Sequence, residues 1–244
     1  MTTATAPVQP RTTPATAALR SVSLHGPAGR LEAVVNQGAP SAPFAALVCH
    51  PHPLGGGSMH NKVVYHAMKV LNDPQWGLGW PVLRFNFRGT GLSQGVHDGH
   101  DEAGDILAAL EWLENEYRLP LVVVGFSFGA MMALSACCSP ALPPKNIRAL
   151  ALLGLPTHDP AGHDFHYPEL HNCTIPKLFL SGASDQFAPN SQLAAIAASA
   201  AQPSKLVLLP RADHFFTGQI EPMQSALTAW LKGTLAGSLK EQLR

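Results

Sequence analysis

Apolar residues occur along this chain as short continuous runs that alternate with longer stretches of helical spacing. The runs predict strands at Ser21–His25, Arg30–Asn36, Phe44–Cys49, Trp80–Phe87, Leu119–Val124, Ile147–Leu155, Lys177–Leu180 and Lys205–Leu209. The stretches predict helices at Asn61–Leu71, Asp101–Tyr117, Ser191–Ala201 and Glu221–Ala236, with a further helical run directly after Gly129. Strands that are apolar on both faces and alternate with helices indicate βαβ units and a mainly parallel, doubly wound α/β sheet.

The N-terminal part departs from this alternation. The first two predicted strands are separated only by the turn Gly26–Gly29, which favours an antiparallel hairpin. Residues 1–19 are rich in Thr, Ala and Pro and are predicted to form a disordered tail. Because no internal repeat or Pro/Gly-rich linker interrupts the remainder, residues 20–244 are predicted to form a single domain.

Composition narrows the class of partner. The chain has 16 basic and 16 acidic residues and no basic run, which argues against a nucleic-acid or anionic-membrane partner and leaves the oligomeric state open. Leu119–Pro144 is uncharged and long enough to span a membrane, but Gly125 and Gly129 interrupt it, so a buried strand and helix fit better. Since no signal-peptide pattern precedes the domain, a cytoplasmic location is expected.

The four cysteines indicate neither a disulfide framework nor structural zinc, because they lack C-x-x-C spacing in a chain of this length. Cys137 and Cys138 lie in the apolar helical run and are expected only to pack there.

A nucleophile is predicted at Ser127. The pentapeptide Gly125–Gly129 reads G-F-S-F-G, directly follows an apolar strand and directly precedes a helical run. This is the strand–turn–helix context of the G-x-S-x-G nucleophile elbow, in which small residues allow the close approach of neighbouring backbone.

A base and an orienting acid are predicted downstream, because the chain order in this fold is Ser, then Asp or Glu, then His. His214 is the only histidine after the last predicted strand and is the expected base. Asp185 follows the preceding strand and is the expected acid, which would fix the tautomer of the imidazole. Asp213 is a rival, but its side chain starts one residue from His214, so we expect it to cap a turn.

The oxyanion hole is predicted from the backbone N–H of Phe128 and from the loop after the third strand. Pro51 and Pro53 in that loop have no N–H, which leaves His52 or Leu54, and we prefer His52. His50, His52 and His60 also suggest a metal site, but no carboxylate completes it within the motif. No metal and no cofactor is therefore expected.

Six motifs resemble those of the α/β-hydrolase superfamily, and specifically of a compact bacterial group of predicted serine hydrolases. They are HPHP at His50–Pro53, GGG at Gly55–Gly57, MHNKVV at Met59–Val64, FNFRGTGLSQG at Phe85–Gly95, GFSFGA at Gly125–Ala130 and HFF at His214–Phe216. The resemblance covers about residues 45 to 220. It implies the α/β-hydrolase fold and a serine hydrolase, without indicating the substrate.

The function expected from these residues is that of a carboxylesterase acting on a small-molecule ester through an acyl-enzyme. A thioesterase or amidase would use the same groups, and a non-catalytic binding protein is a further alternative. Only about twenty residues, Pro156–Pro176, follow the sixth strand, which leaves no room for a cap domain. The site is therefore expected to be open and to prefer short acyl chains.

Several polar residues have two interpretations. Arg88 could clamp a substrate carboxylate, but we expect it to bind loop carbonyls, and the acids Asp101, Glu102 and Asp105 are expected to complement a helix dipole. Leu54, His158 and Phe215 are expected to contact substrate. A segment rich in histidine could be a plain surface loop, a metal site or a rim that becomes cationic between about pH 8 and 6. Its histidines are His158, His163, His166 and His171.

Overall fold

The computed structural model describes residues 19–139, 146–159 and 161–241. The predicted N-terminal tail lies outside the described residues except for Leu19, which begins the first strand. Within the described part of the chain, no helix combines the length and the apolar composition needed to cross a bilayer.

The sheet contains eight strands among the described residues. They are β1 (Leu19–Gly26), β2 (Gly29–Asn36), β3 (Ala45–Cys49), β4 (Val82–Phe85), β5 (Leu121–Phe126), β6 (Ile147–Leu153), β7 (Lys177–Gly182) and β8 (Ser204–Leu209). Their spatial order is β1-β2-β4-β3-β5-β6-β7-β8. The pairs β1–β2 and β2–β4 are antiparallel and all the others are parallel. The predicted fold class is confirmed, including the N-terminal hairpin.

Helices cover both faces of the sheet, which explains the continuous apolar runs. They are α1 (Lys62–Asn72), α2 (Glu102–Tyr117), α3 (Phe128–Cys138), α4 (Asn190–Ser199) and α5 (Ile220–Glu241). Successive residues of a strand point to opposite faces. Leu47 and Val123 thus belong to the core under α2 and α3, whereas Val48 and Val122 belong to the core under α1 and α5.

The cysteine expectation is wrong for one residue. Cys138, at the end of α3, forms a disulfide with Cys173 in the loop before β7. The two cysteines are 35 residues apart, a separation that no spacing motif marks. Cys137 is buried and free, as expected for a packing residue.

Lys177 at the start of β7 is a buried cation, only 1% exposed. Its Nζ donates to the carbonyl oxygens of Cys173 at 2.6 Å and Ala201 at 2.7 Å, so it ties two loops to the sheet. Burial lowers the pKa of this amine to about 8. Within the described residues, no carboxylate lies within ion-pair distance of it.

This pKa predicts a pH-dependent stability. Unfolded lysine has a pKa near 10.4, so between about pH 8 and 10 the unfolded chain holds a proton at Lys177 that the folded chain has released. The free energy of unfolding should therefore rise with pH in that window, by at most about 1.4 kcal/mol per pH unit from this group. Urea unfolding of the parent and of Lys177→Met between pH 7.5 and 10 tests this expectation. An identical pH dependence in the two proteins would contradict it.

Candidate active site

The predicted nucleophile lies on a sharp turn between β5 and α3. Ser127 has φ 55° and ψ −120°, a conformation that costs a residue with a Cβ about 1–3 kcal/mol. Its N–H donates to the carbonyl of Leu153 on β6 at 2.8 Å, which holds the turn in place. A Cβ at Gly125 would lie 2.3 Å from the carbonyl oxygen of Gly129, and one at Gly129 would lie 2.5 Å from that of His50. Both flanking glycines are therefore required by close backbone approach.

The structure brings the three predicted triad residues together. Ser127 Oγ lies 2.9 Å from His214 Nε2. His214 Nδ1 lies 2.9 Å from Asp185 Oδ2 and 3.0 Å from Oδ1. Asp185 also accepts the Ser181 hydroxyl at 2.8 Å and the N–H of Phe187 at 2.9 Å. Because the Asp185 carboxylate accepts a hydrogen bond from His214 Nδ1, the imidazole carries its proton on Nδ1. Its Nε2 therefore presents a lone pair to the Ser127 hydroxyl.

Asp213 has the role of a turn residue. Its Oδ1 accepts the N–H of Phe215 at 3.0 Å and of Thr217 at 2.8 Å. The hydrogen bond from Thr217 is the largest cause that holds the pKa of Asp213 below its ordinary value, and the bond from Phe215 adds to it. No hydrogen bond joins its carboxylate to the His214 ring among the described contacts.

The two candidate oxyanion donors in the loop after β3 differ in whether their N–H group already has a hydrogen-bond partner. The N–H of Leu54 is occupied, because it donates to His52 Nδ1 at 3.2 Å. The N–H groups of His52 and Phe128 have no hydrogen-bond partner among the described residues. Their rings are in edge contact, with centroids 5.1 Å apart, so the two residues are neighbours in the site. The geometry favours His52 over Leu54.

His50 fastens this loop to the end of β4. Its Nε2 accepts the N–H of Phe87 at 3.0 Å, and its Nδ1 donates to the carbonyl of Pro51 at 2.7 Å. Burial lowers the pKa of His50 to about 4, so the ring is neutral near pH 7 and both bonds persist. Both ring nitrogens of His50 are therefore occupied, so neither is available to bind a metal.

Glu102 lies in the first turn of α2, as expected, but it also has partners outside the helix. Glu102 is fully buried and accepts from His97 Nδ1 at 2.6 Å and from the N–H of Asp98 at 3.0 Å. The His97 ring lies against His52, with centroids 4.7 Å apart. Burial, and then the neighbouring His97, lowers the pKa of His52 below its ordinary value, which keeps Nδ1 free to accept from Leu54. Glu102 is thus linked through His97 to His52 in the loop after β3, by contacts that the helix-dipole interpretation did not include.

Arg88 is structural, as predicted, although its main partner was not foreseen. Its guanidinium pairs with the fully buried Asp105, with Nη2 2.9 Å from Oδ1, and also donates to the carbonyl of Asp101 at 2.8 Å. Asp105 lies in the first turn of α2, as expected, and is in addition the ion-pair partner of Arg88. Arg88 does not line the cavity beside Ser127.

A cavity of about 360 Å³ opens beside Ser127. Its lining is mainly apolar and comprises Pro51, His52, Gly55, Gly57, Asn61, Ser127, Phe128, Met131, Pro156, His158, Asp159, Phe165, Phe187, His214 and Phe215. Of the residues expected to contact substrate, His158 and Phe215 line it. Leu54 does not, because its side chain points to solvent and is 83% exposed.

Sequence reasoning missed most of the apolar wall. Met131 could have been found, since it lies one helical turn after Ser127, and Phe187 could have been found from its place just beyond Asp185. Phe165 had no local signal, because it comes from the loop between β6 and β7 and reaches the cavity only through the folding of that loop.

The histidine-rich segment does not gather its histidines at one place. His163 Nδ1 pairs with Asp159 Oδ2 at 2.9 Å, whereas His166 and His171 line a different cavity. Across residues 19–139, 146–159 and 161–241, no three His, Cys, Asp or Glu side chains are grouped so as to hold a metal ion. Of the four histidines, His158 lines the cavity beside Ser127, and the cationic rim stays a prediction.

A strand–Ser–helix turn on a mainly parallel sheet, with Ser, Asp and His in one hydrogen-bonded line, defines the class of α/β hydrolases. The family described as the alpha/beta hydrolase domain matches residues 46–230. The chain belongs to this family.

Relatives and solved structures agree with this assignment. An uncharacterized protein of Rickettsia prowazekii is 34% identical over 219 residues, which are 86% of this chain and 87% of that protein. A serine hydrolase without a lid from Xanthomonas campestris is 29% identical with a TM-score of 0.76, covering 93% of this chain and 97% of that one. An α/β serine hydrolase homologue from Coxiella burnetii is 30% identical with a TM-score of 0.75, covering 86% and 96%. Together they support a hydrolase of the α/β serine hydrolase type.

Proposed function

We propose that this protein is a serine carboxylesterase that hydrolyses short-chain esters of small molecules. Ser127 Oγ attacks the ester carbonyl carbon while its proton passes to His214 Nε2. The tetrahedral oxyanion accepts the N–H groups of His52 and Phe128. The alcohol leaves with the proton from His214, and water then attacks the acyl-enzyme, again through His214, to release the acid and restore Ser127.

One observation carries this proposal: the unbroken line of hydrogen bonds from Asp185 through His214 to Ser127. Each link is 2.9 or 3.0 Å, and Asp185 and His214 are only 5% and 2% exposed. Such a buried, pre-oriented imidazole is what a serine hydroxyl needs in order to act as a nucleophile near neutral pH.

The test is covalent labelling followed by a substrate panel. We expect a fluorophosphonate probe to label the parent at Ser127 and not to label Ser127→Ala. A binding protein that retains only the fold would not be labelled. A p-nitrophenyl ester, a thioester and an anilide of the same acyl group then distinguish an esterase from a thioesterase or an amidase.

We expect the enzyme to prefer short acyl chains. Between β6 and β7 the described residues form only a short helical turn, Pro168–His171, and a bridge between His158 and Asp164, so no cap helices cover the site. kcat/KM for p-nitrophenyl esters should fall from butyrate to palmitate, and an oil–water interface should not activate the enzyme. Faster turnover of long-chain triglycerides than of butyrate esters would contradict this expectation.

The cytoplasmic location and the absence of nucleic-acid, membrane and cofactor requirements stay predictions from the sequence. The proposed reaction requires no nucleic acid, membrane or cofactor, because besides water it uses only side chains and backbone N–H groups of this chain.

A further inference from the structure

A second cavity shares a lining residue with the first. Its volume is about 260 Å³. It is lined by Phe165, His166, Tyr167, Pro168, His171, Ile196 and Ser199. Among the described residues, Phe165 alone lines both this cavity and the one beside Ser127. Phe165 is therefore common to the two linings.

The loop between β6 and β7 runs from one cavity into the other. Pro156, His158 and Asp159, which precede Phe165, line the cavity beside Ser127, and the residues directly after it line the second one. Tyr167 in the second lining donates its hydroxyl proton to the carbonyl of Pro156 in the first, at 2.6 Å. A hydrogen bond thus joins the linings of the two cavities, which also share Phe165.

Main-chain contacts hold Phe165 at this junction. Its N–H donates to the carbonyl of Thr157 at 2.8 Å, and a bridge joins His158 to Asp164 next to it. Thr157 is itself buried, and its hydroxyl donates to Gln192 Oε1 on α4 at 2.6 Å. Because these contacts do not use the phenyl ring, substitutions at Phe165 can remove the ring and keep the loop.

We propose that Phe165 determines the chain-length specificity of the enzyme, by closing the substrate cavity against the second cavity behind it. This inference rests on the proposed esterase function and adds Phe165 to the lack of cap helices as a cause of its short-chain preference. The second cavity is the space into which the distal methylenes of a longer acyl or alcohol chain would extend once the ring is shortened. Its Ile196, Pro168 and Tyr167 side chains would contact the methylenes of such a chain, and His166, His171 and Ser199 form the polar part of its lining.

The test compares chain-length profiles of the parent and Phe165→Ala. One series varies the acyl group, from p-nitrophenyl butyrate to octanoate, and another varies the alcohol, from ethyl to octyl acetate. We expect Phe165→Ala to raise the long-to-short ratio of kcat/KM in one series, by about fourfold for each methylene that becomes buried. The series that responds identifies the part of the ester that faces Phe165.

Matched variants distinguish a role of Phe165 as the wall between the two cavities from a general effect of enlarging the cavity beside Ser127. Met131→Ala also removes a side chain from the cavity beside Ser127, but Met131 does not line the second cavity, so the ratio should change much less. Ser199→Phe, at an exposed position of the second cavity, should cancel the gain when combined with Phe165→Ala. Should Phe165→Ala fail to fold, Phe165→Val replaces it, with a smaller shift in the same direction.

The outcomes divide cleanly. Unchanged profiles in both series for a folded Phe165 variant, or an equal shift in Met131→Ala, would overturn the role of Phe165 and leave the esterase proposal intact. A parent that hydrolyses neither series and does not react with a fluorophosphonate would overturn the esterase proposal itself. A shift at Phe165 that Ser199→Phe reverses supports both.

Discussion

Replacing Ser127 with alanine is expected to lower kcat for ester hydrolysis by about 10⁴-fold or more. The substitution removes the only hydroxyl that hydrogen-bonds to His214 Nε2, at 2.9 Å, within the described residues. His214→Ala should have a similar effect, because triad residues act as one unit and the loss of either one stops the same step. Initial rates with p-nitrophenyl butyrate measure both effects.

The double variant tests whether Ser127 and His214 act in the same step. If Ser127 and His214 act together, Ser127→Ala with His214→Ala should be little slower than either single variant. Near-parental activity of a folded Ser127→Ala protein would show that the nucleophile is elsewhere. Multiplied losses in the double variant would show that the two residues act independently.

Asp185→Asn is expected to lower kcat by about 10⁴-fold while leaving the structure intact. Asp185 accepts from His214 Nδ1 through both carboxylate oxygens and so selects the tautomer whose Nε2 faces Ser127. An asparagine amide can donate to Nδ1, which would move the imidazole proton to Nε2 and remove the base. KM should change much less than kcat, because the carboxylate does not line the cavity.

Asp213→Asn is the matched control, since it makes the same chemical change one residue from His214. The amide oxygen of an asparagine can still accept the N–H groups of Phe215 and Thr217, so the turn persists. Asp213→Asn should therefore lower kcat far less than Asp185→Asn. The reverse order would assign the orienting acid to Asp213.

Local rules of the chain were sufficient to predict the fold and the polar centre of the site. Continuous apolar runs predict buried parallel strands because each strand has two covered faces, and Val122 and Val123 do lie on opposite faces. Ser127, Asp185 and His214 could be found because each follows a strand, and parallel strands bring their carboxyl ends to one edge of the sheet. Strand boundaries shifted by one or two residues, as with β5, because pairing with neighbours decides where a strand ends.

What depends on contacts between distant segments appeared only in the tertiary structure. Cys138 pairs with Cys173, Arg88 pairs with Asp105, and the His97 ring lies against His52, and no local spacing marks any of these contacts. The preference for His52 over Leu54 as the expected oxyanion donor was made from the sequence, and the hydrogen bond from the N–H of Leu54 to His52 Nδ1 gives it a structural reason.

Periodicity and spacing thus determined which elements form and which polar residues meet at the edge of the sheet, since both follow from strand and helix geometry. The shape of the cavity beside Ser127 was determined by the tertiary structure alone. Phe165 reaches it from a loop with little regular structure, and the position of such a loop is set by its long-range hydrogen bonds, not by its own residue pattern.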